Sequence, residues 1–202
     1  MSDLLLVACD GSCLSNPDGP TGWAWAGVDG SFAYGSVVKG TNNIGELMAV
    51  LNVLSMHPGI DLHIQIDSQY AMKAATEWLP GWKRRGWKNS KGETVANKEL
   101  IQQIDAVMTA RNENGRVTHF EWVKGHRKDN AFPLNTEADR LAGLASKAAS
   151  RGVEEVVTGG ATVVKQTLTP ATHLVRPATL KVSPVPVPDD DVFLPGDLTE
   201  DF

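Results

Sequence analysis

Four acidic side chains stand out in this sequence because each lies where a predicted element begins or ends. Asp10 follows the apolar run LLLVAC, Asp67 follows LHIQI, Glu46 lies in the first turn of one predicted helix, and Asp139 lies early in another. An ionised carboxylate at the tip of a buried strand is costly unless a cation or several donors compensate it. For Asp10 alone two interpretations are open: a turn-starting aspartate that caps its own backbone before Gly11-Ser12, or a metal ligand.

The four acids favour the metal interpretation once they are considered together. If the strands that end at Asp10 and Asp67 are neighbours, their tips bring these two carboxylates to one edge of a sheet. Clustered acids raise each other's pKa unless a cation is present. Hard divalent ions such as Mg²⁺ take oxygen ligands of this kind. Two such ions about 4 Å apart can activate water and stabilise the leaving oxygen in phosphodiester cleavage.

The apolar pattern predicts the elements that position these acids in the first half of the chain. The first strand covers about residues 3–10 and is apolar on both faces, which is typical of a central strand. Two strand-like runs flank a hairpin turn at Asp29-Gly30. Apolar residues at three- and four-residue intervals predict a helix over 43–56, and LHIQID predicts a fourth strand.

The second half of the chain alternates helices with one more strand. A helix is predicted from Ser68 towards Trp78, with a break at Pro80-Gly81, and another around residues 100–108. RVTHFEWV predicts a fifth strand, and NTEADRLAGLASKAAS predicts a last helix for which Asn135 is a suitable cap. This order predicts an α/β fold: a five-stranded mixed sheet with helices on both faces.

The segment 152–202 differs in composition from the rest of the chain. Prolines interrupt every potential element there, at Pro170, Pro177, Pro184, Pro186, Pro188 and Pro195. SPVPVPDDD is typical of an extended linker. We therefore predict one domain over 1–151 and a Pro-rich, acidic, mostly disordered tail over 152–202, in which ATVVK leaves room for a short strand.

Composition and cysteine usage indicate a soluble protein of the cytoplasm. Hydrophobic residues make up 42% of the chain and charged residues 21%. No apolar run approaches the roughly 20 residues of a membrane span, and no basic segment precedes LLLVAC as in a signal peptide. On one strand, Cys9 and Cys13 would be up to about 13 Å apart, too far for a disulfide. We predict reduced thiols, no zinc site and no membrane partner.

The charge is distributed unevenly, so the net charge of −5 does not exclude nucleic acid. Residues 1–150 hold 15 basic and 16 acidic residues, whereas residues 151–202 hold 4 and 8. Within the neutral body, WKRRGWKNSKGETVANK carries six basic residues against one acid, Glu93. Tryptophans interleaved with cations favour a nucleic-acid surface over a merely solvated basic face, because the rings can pack against sugars or bases.

Four blocks of this sequence resemble bacterial type 1 ribonuclease H, in the same order and at similar spacing: CDGSCLSNPDGPTGWAW, TNNIGELMAVLNVL, IQIDSQYAMKAATEWLPGWKRRGWK and FEWVKGHRKDNAFPLNTEADRLA. The resemblance covers about residues 1–150 and leaves the tail uncovered. It implies a ribonuclease H-like fold and an endonuclease that hydrolyses the RNA strand of RNA–DNA hybrids. It also implies two catalytic Mg²⁺ ions, with Mn²⁺ as a substitute, and products with 5′-phosphate and 3′-hydroxyl ends.

The resemblance also assigns residues. Asp10, Glu46, Asp67 and Asp139 match the four metal-binding carboxylates, and His126 matches a loop histidine that assists proton transfer or product release. An exposed loop histidine without such a role is the alternative. The implied substrate contacts are the RNA-facing residues Cys13, Asn16, Asn42, Asn43 and Gln69; Thr41, together with Asn16 and Asn42, at a DNA phosphate; Asn135 near the last acid; and the basic protrusion with Trp78, Trp82, Lys83, Arg84, Arg85, Trp87 and Lys88.

Two other functions compete with the hydrolase. One is a hybrid-binding module without catalysis, against which the four intact acids argue. The other is an exonuclease or strand-transfer enzyme of the same superfamily, against which the Trp-rich basic segment argues. We expect a monomer. The acidic end at Asp201-Phe202 resembles the acidic, Phe-terminated tips with which single-strand-binding proteins recruit partners, and a solubilising tail is the competing interpretation.

Overall fold

The computed structural model describes residues 4–125 and 131–160, which form a mixed sheet with helices on both faces. The strands are β1 Leu4–Cys13, β2 Gly19–Gly27, β3 Phe32–Gly40, β4 Asp61–Ile66, β5 Thr118–Trp122 and β6 Val156–Gly159. The helices are α1 Asn42–Met56, α2 Gln69–Ala75, α3 Leu79–Arg84, α4 Lys98–Glu113 and α5 Pro133–Ala149. None of these helices is long and apolar enough to cross a membrane.

The sheet has the strand order β5-β4-β1-β2-β3-β6. β1 pairs in parallel with β4, β4 pairs in parallel with β5, and the remaining pairs are antiparallel. The predicted mixed α/β architecture is confirmed, and so is the central position of the apolar strand β1. The predicted count of five strands is wrong by one, because β6 adds to the edge of β3.

Strand β6 lies in the segment that the composition assigned to a tail. Ser36 ties this segment to β3 before the strand begins: its hydroxyl donates to the Val153 carbonyl at 2.9 Å and accepts from the Glu155 amide at 3.1 Å. The prolines that dominate the rest of the segment all lie beyond Gly159. The remainder from residue 161, including ATVVK and the acidic end, lies outside the described residues.

Alternate side chains of β2 pack on opposite faces of the sheet. Trp23 and Trp25 belong to the main core, which α1 and α4 cover. Ala24 between them packs instead against Leu141 and Ala142 of α5. Both faces of the sheet centre are therefore buried, which holds β1 and its acid in a rigid frame.

Helix boundaries follow the sequence closely, apart from the region around Pro80 and the start of the last helix. α1 begins at Asn42, where the Thr41 hydroxyl accepts a hydrogen bond from the Ile44 amide at 3.2 Å. The predicted break at Pro80-Gly81 is instead the first turn of the short helix α3. Proline is tolerated there because the first amides of a helix have no intrahelical partner.

Candidate active site

Three carboxylates from three elements meet at one edge of the sheet. Asp10 of β1, Glu46 of α1 and Asp67, which follows β4, each offer one oxygen, and these oxygens lie within 4.8 Å of one another. Asp10 is 5% exposed and Glu46 is 3% exposed, whereas Asp67 is half-buried. Asp139 of α5 is not one of these three, but it lies close enough to Asp10 to raise the pKa of that carboxyl. The structure thus brings together all four acids that the sequence singled out.

The β1–β4 ladder explains why Asp10 and Asp67 are adjacent. Its parallel register runs to the pair Cys9↔Ile66, so the next residues along the two strands lie side by side. β1 does not end at Asp10, however: it continues to Cys13 because β2 still pairs with it, Asp10 opposite Ala24. The Gly11 amide donates to Asp10 Oδ1 at 2.7 Å, but this carboxylate sits inside a ladder and starts no turn.

Glu46 reaches the cluster because α1 lies directly on the backbone of β1 and β2. A Cβ atom on Gly11 would collide with the backbone of Gly45 and Glu46. A Cβ on Gly45 would come within 2.6 Å of the Gly22 carbonyl oxygen. Only residues without side chains permit this approach, and it sets the distance from Glu46 to Asp10 through backbone contact.

The acids raise one another's pKa. Burial first, and then the charges of Asp67 and Asp139, raise the pKa of Asp10 well above its usual value. Burial and then Asp10 and Asp67 do the same to the pKa of Glu46. The pKa of the buried Cys9 thiol is raised by its burial and by Glu46 and Asp10. The described part of the site therefore concentrates acidic side chains whose ionised forms destabilise one another.

The residues present fit a divalent cation. Glu46 Oε2 is buried and accepts no hydrogen bond from the described residues. A buried carboxylate oxygen left without a donor is costly, and a metal ion removes that cost. Carboxylate oxygens from Asp10, Glu46 and Asp67 are the ligand type that hard ions such as Mg²⁺ prefer. The part of the chain that the structure describes thus contains a carboxylate cluster able to hold a metal.

Asn135 contacts the cluster and does not cap its helix. α5 begins at Pro133, with Phe132 in the cap position, so Asn135 lies within the first turn. Its Nδ2 donates to Asp67 Oδ2 at 3.3 Å, while its Oδ1 is buried without a hydrogen-bond partner among the described residues. The predicted cap is wrong because Pro133, already fixed in helical φ, starts the helix earlier.

The end of β5 supplies contacts to Asp67 that sequence reasoning missed. Trp122 Nε1 donates to the Asp67 carbonyl oxygen at 3.0 Å. A Cβ atom on Gly125 would collide with the Asp67 carboxylate. The signal was a tryptophan at the end of a predicted strand, but its partner depends on the β4–β5 register, which pairs Ile66 with Trp122. His126, which follows this segment, lies outside the described residues.

The small polar residues assigned to the substrate fall into two groups. Asn16 and Asn42 lie together, since Asn16 Oδ1 accepts from the Asn42 amide at 3.3 Å, and both are exposed. The Cys13 thiol approaches the Gly40 carbonyl oxygen at 3.7 Å, beside Thr41. Asn43 follows in the first turn of α1. Gln69 stands apart from them, exposed at the start of α2, two residues after Asp67.

The basic protrusion (residues 78–98) exposes its cations and buries its tryptophans to different degrees. Arg84, Arg85 and Lys88 are exposed. Lys83 is also exposed, but it pairs with Asp105 of α4 at 2.8 Å. Trp82 is only 4% exposed and belongs to the core, so its predicted place on the binding surface is wrong.

The other two tryptophans of the protrusion, Trp78 and Trp87, are half-buried and pack against the core. The ring centroids of Trp78 and Trp82 are 5.5 Å apart. The protrusion is therefore anchored to the body by its aromatic residues, and only two of the three predicted rings keep accessible surface.

Comparisons with known proteins identify the family of this chain. The RNase H family model matches residues 3–147. The chain belongs to the ribonuclease H family. The resemblance to bacterial type 1 ribonuclease H and the predicted fold class are confirmed, apart from the strand count.

Relatives of this ribonuclease H family chain are named ribonuclease HI or ribonuclease H. Ribonuclease HI of Streptomyces coelicolor is 45% identical over 152 residues, which cover 72% of this chain and 63% of that protein. Ribonuclease H of Tropheryma whipplei is 39% identical over 140 residues, covering 68% of this chain and 81% of that one. The chain thus spans less than two thirds of the Streptomyces relative, while the prediction of a ribonuclease H enzyme agrees with both names.

Solved structures share the fold of this ribonuclease H family chain. LC9-RNase H1, a type 1 RNase H with the type 2 active-site motif, superposes with a TM-score of 0.62 at 25% identity and covers 79% of each chain. A foamy viral protease-reverse transcriptase in complex with an RNA/DNA hybrid superposes with a TM-score of 0.51 at 19% identity. That match covers 71% of this chain and 20% of the viral one, and it supports the fold alone.

Proposed function

We propose that this chain is an endonuclease that hydrolyses the RNA strand of RNA–DNA hybrids and leaves 5′-phosphate and 3′-hydroxyl ends. The observation that carries the proposal is the convergence of Asp10, Glu46 and Asp67, with Asp139 against Asp10, at one sheet edge. Family membership gives the reaction type, because the relatives are named ribonuclease H.

Asp10, Glu46 and Asp67 would hold the metal, with Asp139 completing the set. When bound, two Mg²⁺ ions, or Mn²⁺ as a substitute, supply an activated water and stabilise the leaving oxygen. The protein's part is to hold its carboxylates at a fixed separation and in the ionised form. The pKa of Asp10 and of Glu46 is raised, and a metal binds the ionised carboxylates, so metal affinity should rise with pH.

Discrimination of RNA from DNA depends on the 2′-hydroxyl, which both donates and accepts hydrogen bonds. Side-chain amides suit this group because each offers a donor and an acceptor. The exposed Asn16, Asn42 and Gln69 and the half-buried Asn43 would contact the RNA strand together with Cys13. Thr41, beside Asn42, would hold a DNA phosphate in addition to capping α1. Asn135 would act at the acids through Asp67.

The basic protrusion would grip the DNA strand. Arg84, Arg85 and Lys88 supply exposed positive charge, and Trp78 and Trp87 supply half-buried aromatic surface. Lys83 contributes less, because Asp105 already neutralises it. Phosphates would be bound by the cations and sugars or bases by the rings.

Several further assignments complete this proposal. His126 would assist proton transfer or product release, and residues 1–151 would be the catalytic domain, extended by β6. The chain would act as a monomer in the cytoplasm, consistent with its two free cysteines. The Pro-rich acidic segment would be a tail, and recruitment of a protein partner through its end is the weakest of these assignments.

A hybrid-cleavage assay tests the proposal directly. An RNA–DNA hybrid labelled on its RNA strand, with both ends blocked, is incubated with the full chain, with and without Mg²⁺. We expect internal cuts in the RNA strand that require the metal. Folded protein that leaves the hybrid intact would contradict the proposal, and cutting only from free ends would favour an exonuclease.

A further inference from the structure

We propose that Trp122 is a positioning residue for the Asp67 carboxylate, acting through the hydrogen bond from its indole N–H to the Asp67 carbonyl oxygen. This inference rests on the proposed nuclease function, since it concerns the geometry of the same metal site. It adds to the four acids a residue that touches neither metal nor substrate in its proposed role.

Asp67 is the acid whose backbone position most needs a support outside regular structure. Asp10 lies within the β1–β2 ladder, and Glu46 lies within α1, close against β1. Asp67 is the first residue after β4, one step beyond the last β1–β4 pair, Cys9↔Ile66. Its peptide is therefore not fixed by the sheet in the way the peptide of Asp10 is.

The end of β5 provides that support. Trp122 is the last residue of β5 and pairs with Ile66. The Val123 amide donates to the Ile66 carbonyl oxygen at 3.0 Å, and the indole then continues the contact to the Asp67 carbonyl oxygen, also at 3.0 Å. One backbone bond and one side-chain bond thus hold two successive carbonyls at the start of the loop.

Burial does not account for the orientation of this tryptophan. Trp122 is 46% exposed, so packing alone contributes less to its placement than it does for the buried tryptophans of the core. Its polar edge nonetheless faces the protein and donates to the residue that carries a catalytic carboxylate. The indole ring therefore links the end of β5 to the loop after β4 and restricts the position of the Asp67 main chain.

Asn135 and Trp122 hold different parts of Asp67. Asn135 holds the carboxylate itself, through Oδ2 at 3.3 Å, and Trp122 holds the main chain. Some residues hydrogen-bond to a metal ligand without contacting the metal. Replacing such a residue typically lowers metal affinity or activity by about 10- to 100-fold. A displacement of the order of 1 Å at a catalytic group can cost about 100-fold in rate.

Three variants test this role. Trp122→Phe removes the donor and keeps an aromatic ring, Trp122→Ala removes both, and His119→Ala changes an exposed residue of the same strand as a matched control. Each full-length protein is assayed for kcat and KM on the labelled hybrid. Mg²⁺ binding to the hybrid-free protein is measured by titration calorimetry, and folding is checked by thermal unfolding.

We expect kcat of Trp122→Phe to fall at least about tenfold with KM unchanged, and its Mg²⁺ affinity to weaken about three- to tenfold. Trp122→Ala should match Trp122→Phe within about twofold, because the lost donor is common to both. His119→Ala should behave like the unchanged protein.

The other outcomes overturn the role. An unchanged kcat and Mg²⁺ affinity in Trp122→Phe would refute positioning while wild-type cleavage still upheld the nuclease. A raised KM with constant kcat would make Trp122 a substrate contact instead. Loss in Trp122→Ala alone would assign the effect to ring volume. If the unchanged protein fails to cut the hybrid, the nuclease proposal fails, and Mg²⁺ affinity alone then decides the positioning role.

Discussion

The acid cluster and the basic protrusion are built in opposite ways. The acids come from β1, α1, the end of β4 and α5, far apart in sequence and joined only by the sheet topology. The exposed cations proposed to bind DNA, Arg84, Arg85 and Lys88, are neighbours in sequence, at the end of α3 and in the turn after it. The acids are largely buried and repel one another, whereas the cations are solvated. Chemistry here depends on the whole fold, and the proposed binding surface depends on a local segment anchored by Trp82.

The largest expected effect belongs to the acid cluster. Asp10→Asn should lower turnover of the hybrid by at least about four orders of magnitude, about 5.4 kcal/mol, because a central metal ligand loses its charge. Hybrid affinity, measured by fluorescence anisotropy in Ca²⁺, should stay within about threefold. Asp29→Asn, in the β2–β3 turn, is the matched control and should cut normally. Substantial activity in Asp10→Asn would contradict the assignment of catalysis to the acid cluster.

Trp82 tests whether the protrusion is attached through the core. Trp82→Ala should lower the free energy of unfolding by about 3–5 kcal/mol, the usual cost of truncating a buried tryptophan. Arg84→Ala, two residues away and exposed, should change it by less than about 0.5 kcal/mol. Denaturant titration measures both. A stable Trp82→Ala that has lost only hybrid affinity would return Trp82 to the binding surface.

The repulsion between the acids should appear as a stability cost in metal-free protein. Asp10→Asn should raise the free energy of unfolding in EDTA by about 1–3 kcal/mol, since it removes a buried charge whose pKa is raised. Mg²⁺ should stabilise the unchanged protein and leave the variant nearly unaffected. If the variant is less stable than the unchanged protein in EDTA, the charge of Asp10 does not lower the free energy of unfolding of the metal-free protein.

The difference in stability between Asp10→Asn and the unchanged protein should depend on pH. The pKa of Asp10 and of Glu46 is higher in the folded than in the unfolded chain, so their charges destabilise the fold at pH above both values. The penalty is relieved as the pH falls through the raised folded pKa. The stability gap between Asp10→Asn and the unchanged protein in EDTA should therefore narrow as the pH is lowered, as melting temperatures will show.

The smallest effect is expected from the protrusion's cations. The double variant Arg84→Ala/Lys88→Ala should raise KM about tenfold, or about 1.4 kcal/mol, with kcat within about twofold. The slope of log affinity against log salt should become shallower by about 1 to 2. Lys83→Ala is the control with a weaker effect, because Asp105 already pairs with Lys83. An unchanged salt slope would remove the protrusion from the binding surface.

The sequence predicted the chemistry better than it predicted the supports. Asp10, Glu46 and Asp67 could be found because apolar runs and helical periodicity mark where elements end, and ends meet at sheet edges. The local pattern around Asn135 predicted a helix cap, because its hydrogen-bond partner, Asp67, lies on another element. Trp122 was missed for the same reason: its partner follows from the β4–β5 register.

Two other differences between prediction and structure arise because the local sequence favours the wrong interpretation. Trp82 lies among cations, which favours a surface role, yet its ring is turned into the core. Strand β6 is only four residues long and is followed by a Pro-rich sequence, so composition alone could not separate it from the tail. What fixes it is the edge of β3, a feature that no local window of sequence contains.

Strand β6 has a consequence for how this protein behaves at high concentration. Without it, β3 would present a row of unpaired amides and carbonyls from Phe32 to Gly35, a template on which a second molecule could add a strand. The new outer edge is short, is preceded by Glu154 and Glu155, and ends at Gly159-Gly160, all of which disfavour further pairing. A chain that ends at residue 152 would lack β6 and expose the unpaired edge of β3. We therefore expect it to self-associate more readily than the chain that retains β6.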